Sequence, residues 1–153
     1  MRRKDKEITD KNEIEMIMSK ANVCRIALSD GNMPYIVPVN FGYKDNCLYI
    51  HSATEGKKIE IIKKNYNVCF EMDINHEIVQ GKSACHTTTK YHSVIGYGKA
   101  HIINNFDEKN KAVNIIIDHY LPDISHEYSE KSLKRIVIIK VEIELMTGKK
   151  SVS

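Results

Sequence analysis

Residues 48–65 change their hydrophobic period within a few positions, and this change constrains the fold more than any other part of the sequence. Leu48 and Ile50 alternate with polar residues, as on a strand, whereas Ile59, Ile61 and Ile62 follow helical spacing. The stretch therefore predicts a strand that runs directly into a helix.

The junction between that strand and that helix has the chemistry of a phosphate site. Lys57 and Lys58 fall in the first helical turn, where backbone N–H groups lack partners and the helix dipole is positive. Because the dipole disfavours cations at this end, a bound anion would offset the charge of the two lysines. A solvated basic turn without a ligand is the alternative, and the residue types leave both open.

The size and composition predict one domain, residues 1–153, with hydrophobic residues at 42% and charged residues at 28%. Lys and Arg number 23 against 20 Asp and Glu, too small an excess to indicate nucleic-acid binding as a main function. No apolar run approaches the ~20 residues of a membrane span, and the charged N-terminus is unlike a signal peptide. We therefore expect a cytoplasmic protein that binds neither nucleic acid nor a membrane.

The four cysteines show no CxxC spacing, and no secretion signal precedes them, so we expect them to stay reduced. Cys24, Cys47 and Cys69 lie in apolar, strand-like contexts, where a free cysteine usually packs as a small hydrophobic residue. We expect these three in the core.

The remaining pattern predicts three main helices between antiparallel strands. Asp10, or Thr9, can cap a helix that ends near residue 21, with Ile14, Ile17 and Met18 as its apolar stripe. The other helices are predicted at 55–65, 107–120 and, as a short piece, 132–135. The strands are predicted at 23–29, 34–42, 47–52, 68–73, 91–103 and 136–145.

The connecting segments complete this prediction. Residues 1–8 are expected to form a polar arm, 75–89 a long polar loop, and the tail from 147 to be frayed. Pro38 cannot donate to a ladder, so it places its strand at an edge, a bulge or a barrel opening. Gly96 and Gly98 predict a bulge, a tight bend or a close approach in the strand 91–103. Together these features favour a barrel or strongly curved sheet.

Three motifs follow one another in the chain: PYIVPVNF at 34–41, HSAxxGKK at 51–58 and YxSVxGxG at 91–98. In order and spacing they resemble the FMN-binding split-barrel proteins related to pyridoxamine 5′-phosphate oxidase, in the nitroimidazole-resistance (Nim-type) branch. The resemblance covers nearly the whole chain. It implies a mainly β fold, a six-stranded antiparallel Greek-key split barrel with flanking helices, in a homodimer that holds two FMN molecules in clefts at the subunit interface.

The resemblance also implies cofactor-binding residues beside the isoalloxazine ring, along the ribityl chain and at the phosphate. In that order they are Val37, Pro38, Val39 and Asn40; His51, Ser52 and Ala53; Lys57 and Lys58. A further set is implied on the strand that borders the cleft, contributed by the partner subunit: Tyr91 and Ser93, with Val94 beside them.

The chain departs from the founding enzymes of this family at two points. Asn40 stands where they place a basic residue beside the flavin, and the C-terminus, MTGKKSVS, lacks their substrate-binding Arg and His motif. These departures argue against oxidation of pyridoxamine phosphate. The resemblance then implies FMN-dependent reduction of a small aromatic or nitro compound, with NAD(P)H as one candidate electron donor.

His51 is the candidate catalytic residue, because histidine titrates near neutral pH and can donate a proton to a substrate. A half-buried strand histidine bonded to the backbone is the alternative. Cys85 and His86, with other histidines near them in sequence, do not match zinc-ligand spacing, so we expect no metal there. The alternative function is a non-catalytic protein that stores or senses flavin or haem in the same cleft.

Overall fold

In a computed structural model, which describes residues 3–123 and 128–151, one curved antiparallel sheet carries helices on its surface. The helices are α1 (Lys11–Lys20), α2 (Lys57–Lys64), α3 (Phe106–Tyr120) and α4 (Glu130–Leu133), with short 3₁₀ helices at Lys4–Lys6 and Ala84–His86. The strands are β1 (Glu7–Ile8), β2 (Cys24–Asp30), β3 (Met33–Val39), β4 (Gly42–Lys44), β5 (Cys47–Ala53), β6 (Asn67–Val79), β7 (Thr88–Ile103) and β8 (Ile136–Ser151).

The strand order is β3-β2-β6-β7-β8-β5-β4, with β1 added to β8. The two strands at the ends of this order, β3 and β4, are neighbours in the chain but form no ladder with each other in the described sheet. The sheet therefore curves into a barrel that is split between them, which confirms the predicted mainly β split-barrel class. Pro38 lies in β3, an edge strand, as predicted.

The sheet has eight strands rather than the six predicted. One reason is that the predicted strand 34–42 is interrupted at Asn40 and Phe41, so that it forms both β3 and β4. The other is that Glu7 and Ile8, predicted as part of a polar arm, pair with Lys149 and Gly148.

The long loop predicted at 75–89 is wrong at both ends, because β6 extends to Val79 and β7 begins at Thr88, which leaves residues 80–87 as the connection. The two strands pair beyond the rest of the sheet, for example at Ile78 and Thr89, across an irregularity between Ile74 and Glu77. The prediction that the tail from residue 147 is frayed is also wrong, since β8 continues to Ser151 and pairs there with Tyr91.

The local signals of the first helix are confirmed. The Asp10 carboxylate accepts a hydrogen bond from the Asn12 backbone N–H at 2.9 Å, so Asp10 is the N-cap. Ile14, Ile17 and Met18 are buried against the sheet. Asp10 therefore fixes where α1 begins, and the stripe fixes which side faces the core.

The inside of the barrel holds the core, whose largest fully buried side chains include Phe41, Phe70, Ile26, Leu48 and Ile50. Cys24 is buried there, Cys47 and Cys69 are half-buried, and Cys85 is exposed; all four thiols are free. Of the three cysteines predicted to lie in the core, only Cys24 is therefore fully buried.

Gly96 lies where β7 crosses Phe70. A Cβ at Gly96 would lie 2.1 Å from the Phe70 ring, so no larger residue fits without a shift. The β7–β8 register also shifts between Tyr97 and Gly98. Both the close approach and the bulge predicted from these glycines are confirmed.

The polar segment before the last strand contains α4, close to the short helix predicted at 132–135. Residues 124–127 of that segment lie outside the described part of the chain. Across the described residues, every helix is too short or too polar to cross a membrane.

Candidate functional site

The N-terminal end of α2 provides a place for an anion. Gly56 precedes the helix with φ +124°, a conformation that glycine adopts far more readily than other residues. Within the described chain no side chain caps this end, so the first N–H groups of α2 point outward without a protein acceptor. This geometry fits a phosphate group, whose oxygens can accept several N–H bonds at once.

The two predicted phosphate ligands lie in the first turn of α2 but differ in their surroundings. The Lys57 ammonium lies 4.0 Å from the Asp30 carboxylate and 5.2 Å from the centre of the Tyr35 ring. Lys58 is half-buried, and burial lowers its pKa. Among the described residues Lys58 forms no ion pair, so a bound anion would compensate its desolvation.

Strand β3 extends from the neighbourhood of Lys57 toward the end of the site where the isoalloxazine ring is expected. Tyr35, Val37 and Val39 turn inward and pack against the core, whereas Pro38 and the following Asn40 are exposed. Since β3 pairs with β2 on one side only, its other edge is open to a ligand. Of the four residues predicted beside the isoalloxazine ring, Pro38 and Asn40 therefore have exposed side chains. The other two, Val37 and Val39, pack against the core on the opposite face of the strand.

A cavity of about 340 Å³ lies where β3 ends, between α3 and the outer surface of β5 and β8. Asn40 and His51 both line it, so the structure brings together two predicted residues that lie 11 positions apart in the sequence. Ser52 and Ala53 continue β5 beyond His51, and pair with Val137 and Ile136 of β8. Of the predicted ring and ribityl residues, Asn40 and His51 are thus the two that line this cavity.

The apolar wall of this cavity comes from α3 and the first residue of β8, which the sequence does not indicate as parts of the site. It consists of Val113, Ile116, Ile117, Tyr120 and Ile136. The α3 residues follow i, i+3, i+4, i+7 spacing, so the helical stripe was visible in the sequence, but not which element it faces. A neutral, apolar molecule fits this wall, with Asn40 and His51 as hydrogen-bonding partners.

Tyr91, Ser93 and Val94 do not join the cavity within one chain. The Val94 side chain is fully buried in the core. Tyr91 and Ser93 are half-buried and lie on the opposite, outward face of β7, which β2 and β6 separate from β3. Within the described chain, these three residues therefore lie apart from the cavity.

Arg25, which the sequence did not single out, is the ladder partner of Pro38. Its guanidinium donates to the Glu71 carboxylate at 3.0 Å and also binds Asp73. The hydrogen bond to Glu71 is the largest of the contacts that raise the pKa of Arg25, whereas burial, followed by repulsion from Asp73, raises the pKa of Glu71. Arg25 therefore lies on the paired side of β3, and two carboxylates of β6 hold its guanidinium away from the open edge.

A larger cavity, of about 590 Å³, lies on the other flank of α3. Its rim carries charges of both signs, on Lys44, Asp45, Glu108, Lys111, Asp118 and Lys140, and none of the predicted site residues line it. No cluster of three or more His, Cys, Asp and Glu side chains in the described residues is arranged to hold a metal ion. The cavity of about 340 Å³ is therefore the one of these two that predicted site residues line.

Comparison with known proteins identifies the family to which the chain is similar. Residues 10–150 match the family model described as pyridoxamine 5′-phosphate oxidase. No curated protein matches the chain significantly.

Solved structures share the fold over nearly the full chain. A protein of Bacteroides thetaiotaomicron, described provisionally as a 5-nitroimidazole antibiotic resistance protein, is 36% identical; the match covers 94% of this chain and 86% of that one, with a TM-score of 0.85. An FAD- and haem-binding protein of Mycobacterium smegmatis is 18% identical over 97% of this chain and 74% of that one, with a TM-score of 0.88. A flavocytochrome of Azotobacter vinelandii is 15% identical over 100% and 72%, with a TM-score of 0.88. The last two likenesses concern the fold.

Proposed function

This chain belongs to the pyridoxamine 5′-phosphate oxidase family, and we propose that it is an FMN-dependent oxidoreductase that reduces small aromatic or nitro compounds. One observation carries the proposal: the uncapped N-terminal end of α2 and an apolar cavity lie near the two ends of strand β3. Lys57 lies over Tyr35 near the start of β3, and Asn40 lines the cavity just after its end. Five residues of extended strand span about 17 Å, enough for a phosphate, a ribityl chain and a ring system in sequence.

The residues along this edge have different roles in binding the cofactor. Lys57, Lys58 and the free N–H groups of α2 hold the phosphate. Pro38 and Asn40 border the ring, and Ser52 and Ala53 follow the ribityl chain. When bound, the flavin supplies the capacity to accept electrons from NAD(P)H or another donor and to pass them to an acceptor.

The cavity beside Asn40 and His51 is the proposed place of the acceptor. Its apolar wall on α3 excludes water and favours a neutral ring. His51 then orients the polar end of the acceptor and can donate a proton to it. The 36% identical protein described provisionally as a 5-nitroimidazole antibiotic resistance protein supports a nitro compound as one such acceptor.

We propose a homodimer that completes the cleft, and the outward face of the sheet supports it. Five residues in one register row cross five strands of this face: Ile36, Ala27, Cys69, Tyr97 and Leu145. Ile36, Tyr97 and Leu145 are 62%, 52% and 56% exposed, an unusual density of bare apolar side chains. Tyr91 and Ser93 share this face of β7, so a partner packed here could present them to the cleft.

Anaerobic absorbance spectroscopy of the purified protein tests the function. We expect the protein loaded with FMN to show a flavin band that NADH or NADPH bleaches and that a nitroaromatic compound restores. A bound flavin that no donor bleaches and no acceptor restores would favour the alternative of storage or sensing. A Soret band in place of the flavin band would show haem in the cleft and contradict the proposal.

A cytoplasmic location is also proposed. The free thiols support it, since reduced cysteines are typical of that compartment. Thiol titration of the protein isolated under non-reducing conditions tests this, with four free thiols expected for four cysteines.

A further inference from the structure

The break between β3 and β4 leaves a backbone donor without a strand partner. Asn40 and Phe41 lie between the two strands, outside both ladders. The Phe41 side chain is fully buried, so its N–H group must be satisfied inside the protein. Its acceptor is the hydroxyl oxygen of Tyr120, at 3.1 Å.

The same hydroxyl is held from its other side. It donates to the Asn22 carbonyl oxygen at 3.0 Å, in the connection between α1 and β2. Burial raises the pKa of Tyr120, an effect that contacts with the Phe41 backbone and the Asn40 side chain partly oppose, so the hydroxyl keeps its proton at neutral pH. Tyr120 therefore bridges the strand break and the α1–β2 connection through one oxygen atom.

His119 fixes the end of α3 that carries this bridge. Its Nε2 lies 2.8 Å from the Ala21 carbonyl oxygen, and must carry the hydrogen because a carbonyl only accepts. The His119 ring also packs against Phe41, with centroids 4.4 Å apart, and edge-on against Tyr120, at 4.7 Å. These contacts restrict the Tyr120 side chain, so it cannot easily move if the segment between β3 and β4 moves.

The Tyr120 ring lines the cavity together with Asn40 and His51. We propose that Tyr120 is a positioning residue: through the Phe41 N–H group it holds Asn40 at the mouth of the cavity and so sets the contact between Asn40 and the flavin ring. The inference rests on the proposed function, because it assigns Tyr120 to the same site. Tyr120 itself needs no contact with the reacting atoms.

Tyr120→Phe tests this role, because it keeps the ring and removes both hydrogen bonds. Tyr43→Phe is the matched control: its hydroxyl is also partly buried and donates to Glu15 at 2.7 Å, away from the break. In flavin-free protein, hydrogen exchange of the Phe41 amide should accelerate at least tenfold in Tyr120→Phe and be unchanged in Tyr43→Phe. An unchanged Phe41 exchange rate in Tyr120→Phe would overturn the inference.

The second readout concerns the flavin. In Tyr120→Phe we expect a Kd for FMN raised at least fivefold and a shifted absorption maximum of bound FMN, with both values unchanged in Tyr43→Phe. If wild-type protein binds FMN and Tyr120→Phe matches it in Kd and spectrum, Tyr120 has a merely structural role and this inference fails alone. If wild-type protein binds no FMN, the proposed function and this inference fail together.

Discussion

The ammonium group of Lys109 donates a hydrogen bond to the Leu133 carbonyl oxygen at 2.7 Å. Lys109 is only 4% exposed, and its other acceptors are the Ile136 carbonyl oxygen at 3.0 Å and the Asn104 side chain at 3.2 Å. One buried cation thus joins α3 to the end of α4 and the start of β8. Because Ile136 lines the cavity, this contact also fixes part of the cavity wall.

Lys109→Met should destabilise the protein by about 1–3 kcal/mol, since it leaves buried carbonyl oxygens without their donor. Urea denaturation followed by circular dichroism measures the change. Lys111→Met on the exposed side of the same helix is the control and should change stability by less than about 0.5 kcal/mol. Equal effects of the two substitutions would contradict a structural role for the buried ammonium.

Lys57→Ala combined with Lys58→Ala should weaken FMN binding at least tenfold, about 1.4 kcal/mol, because the phosphate loses both cations. Quenching of flavin fluorescence on binding measures the affinity. Lys63→Ala with Lys64→Ala removes the same charge from the last turn of α2 and should leave the affinity nearly unchanged. A similar loss in both double variants would point to net charge rather than to a phosphate site.

The affinity for FMN should also depend on pH through Lys58. Burial lowers its pKa, so Lys58 loses its proton at a lower pH than an exposed lysine does. Affinity should therefore fall as the pH rises toward the ordinary lysine range, and Lys58→Met should lack this decline. Parallel declines in wild type and Lys58→Met would assign the effect to another group.

His51→Gln should slow reoxidation of the reduced protein by a nitro compound at least a hundredfold, about the usual contribution of a positioned proton donor. Reduction by the nicotinamide, followed separately by stopped-flow absorbance, should change little. His101→Gln replaces another exposed strand histidine, outside the cavity, and serves as the control. Unchanged reoxidation in His51→Gln would leave His51 with a binding role at most.

The parts of this site that the sequence predicted are those that local patterns specify. The strand-to-helix switch located Lys57 and Lys58 at the start of α2, and Pro38 located the edge strand, because period and proline chemistry act within a few residues. Asn40 and His51 were named through family resemblance, and their meeting in one cavity depends on the pairing of strands far apart in sequence.

The parts that the sequence missed depend on tertiary contacts. Tyr120 reads as one more apolar residue of a helix until α3 packs over the strand break. The end of β6 and the start of β7 look like parts of a polar loop in the sequence. These two strand ends pair with each other in solvent, so neither has to present an apolar face to the core. A polar hairpin and a polar loop differ in backbone hydrogen bonds, which leave little trace in hydrophobic periodicity.

Cys24 should make stability depend on alkaline pH. Burial raises the pKa of its thiol from 9.0 to about 12. Below pH 9 both folded and unfolded thiols are neutral; between pH 9 and about 12 the unfolded thiol ionises first, so stability falls by at most about 1.4 kcal/mol per pH unit. The stability advantage of wild type over Cys24→Ala should therefore shrink over this range in urea denaturation. An advantage that is constant with pH would contradict the burial of the thiol.

Leu145→Glu should convert the proposed homodimer into a monomer. It places a carboxylate at the β8 end of the apolar row on the outer face of the sheet, opposite Tyr97, where packing against a second copy would bury the charge without a partner. Light scattering coupled to gel filtration measures the mass. Ile78→Glu adds the same charge at an exposed apolar residue on the β6–β7 hairpin, outside the row, and should leave the mass unchanged.

The same pair of variants separates dimer formation from folding and from the cofactor. A monomeric Leu145→Glu with the wild-type circular dichroism spectrum should bind FMN at least tenfold more weakly, because the cleft then lacks Tyr91 and Ser93 of the partner subunit. A monomer that keeps full FMN affinity would show that one chain forms the whole site, and would reject the interface cleft while leaving the phosphate site at α2 intact. A dimeric Leu145→Glu would place the interface on another face of the sheet.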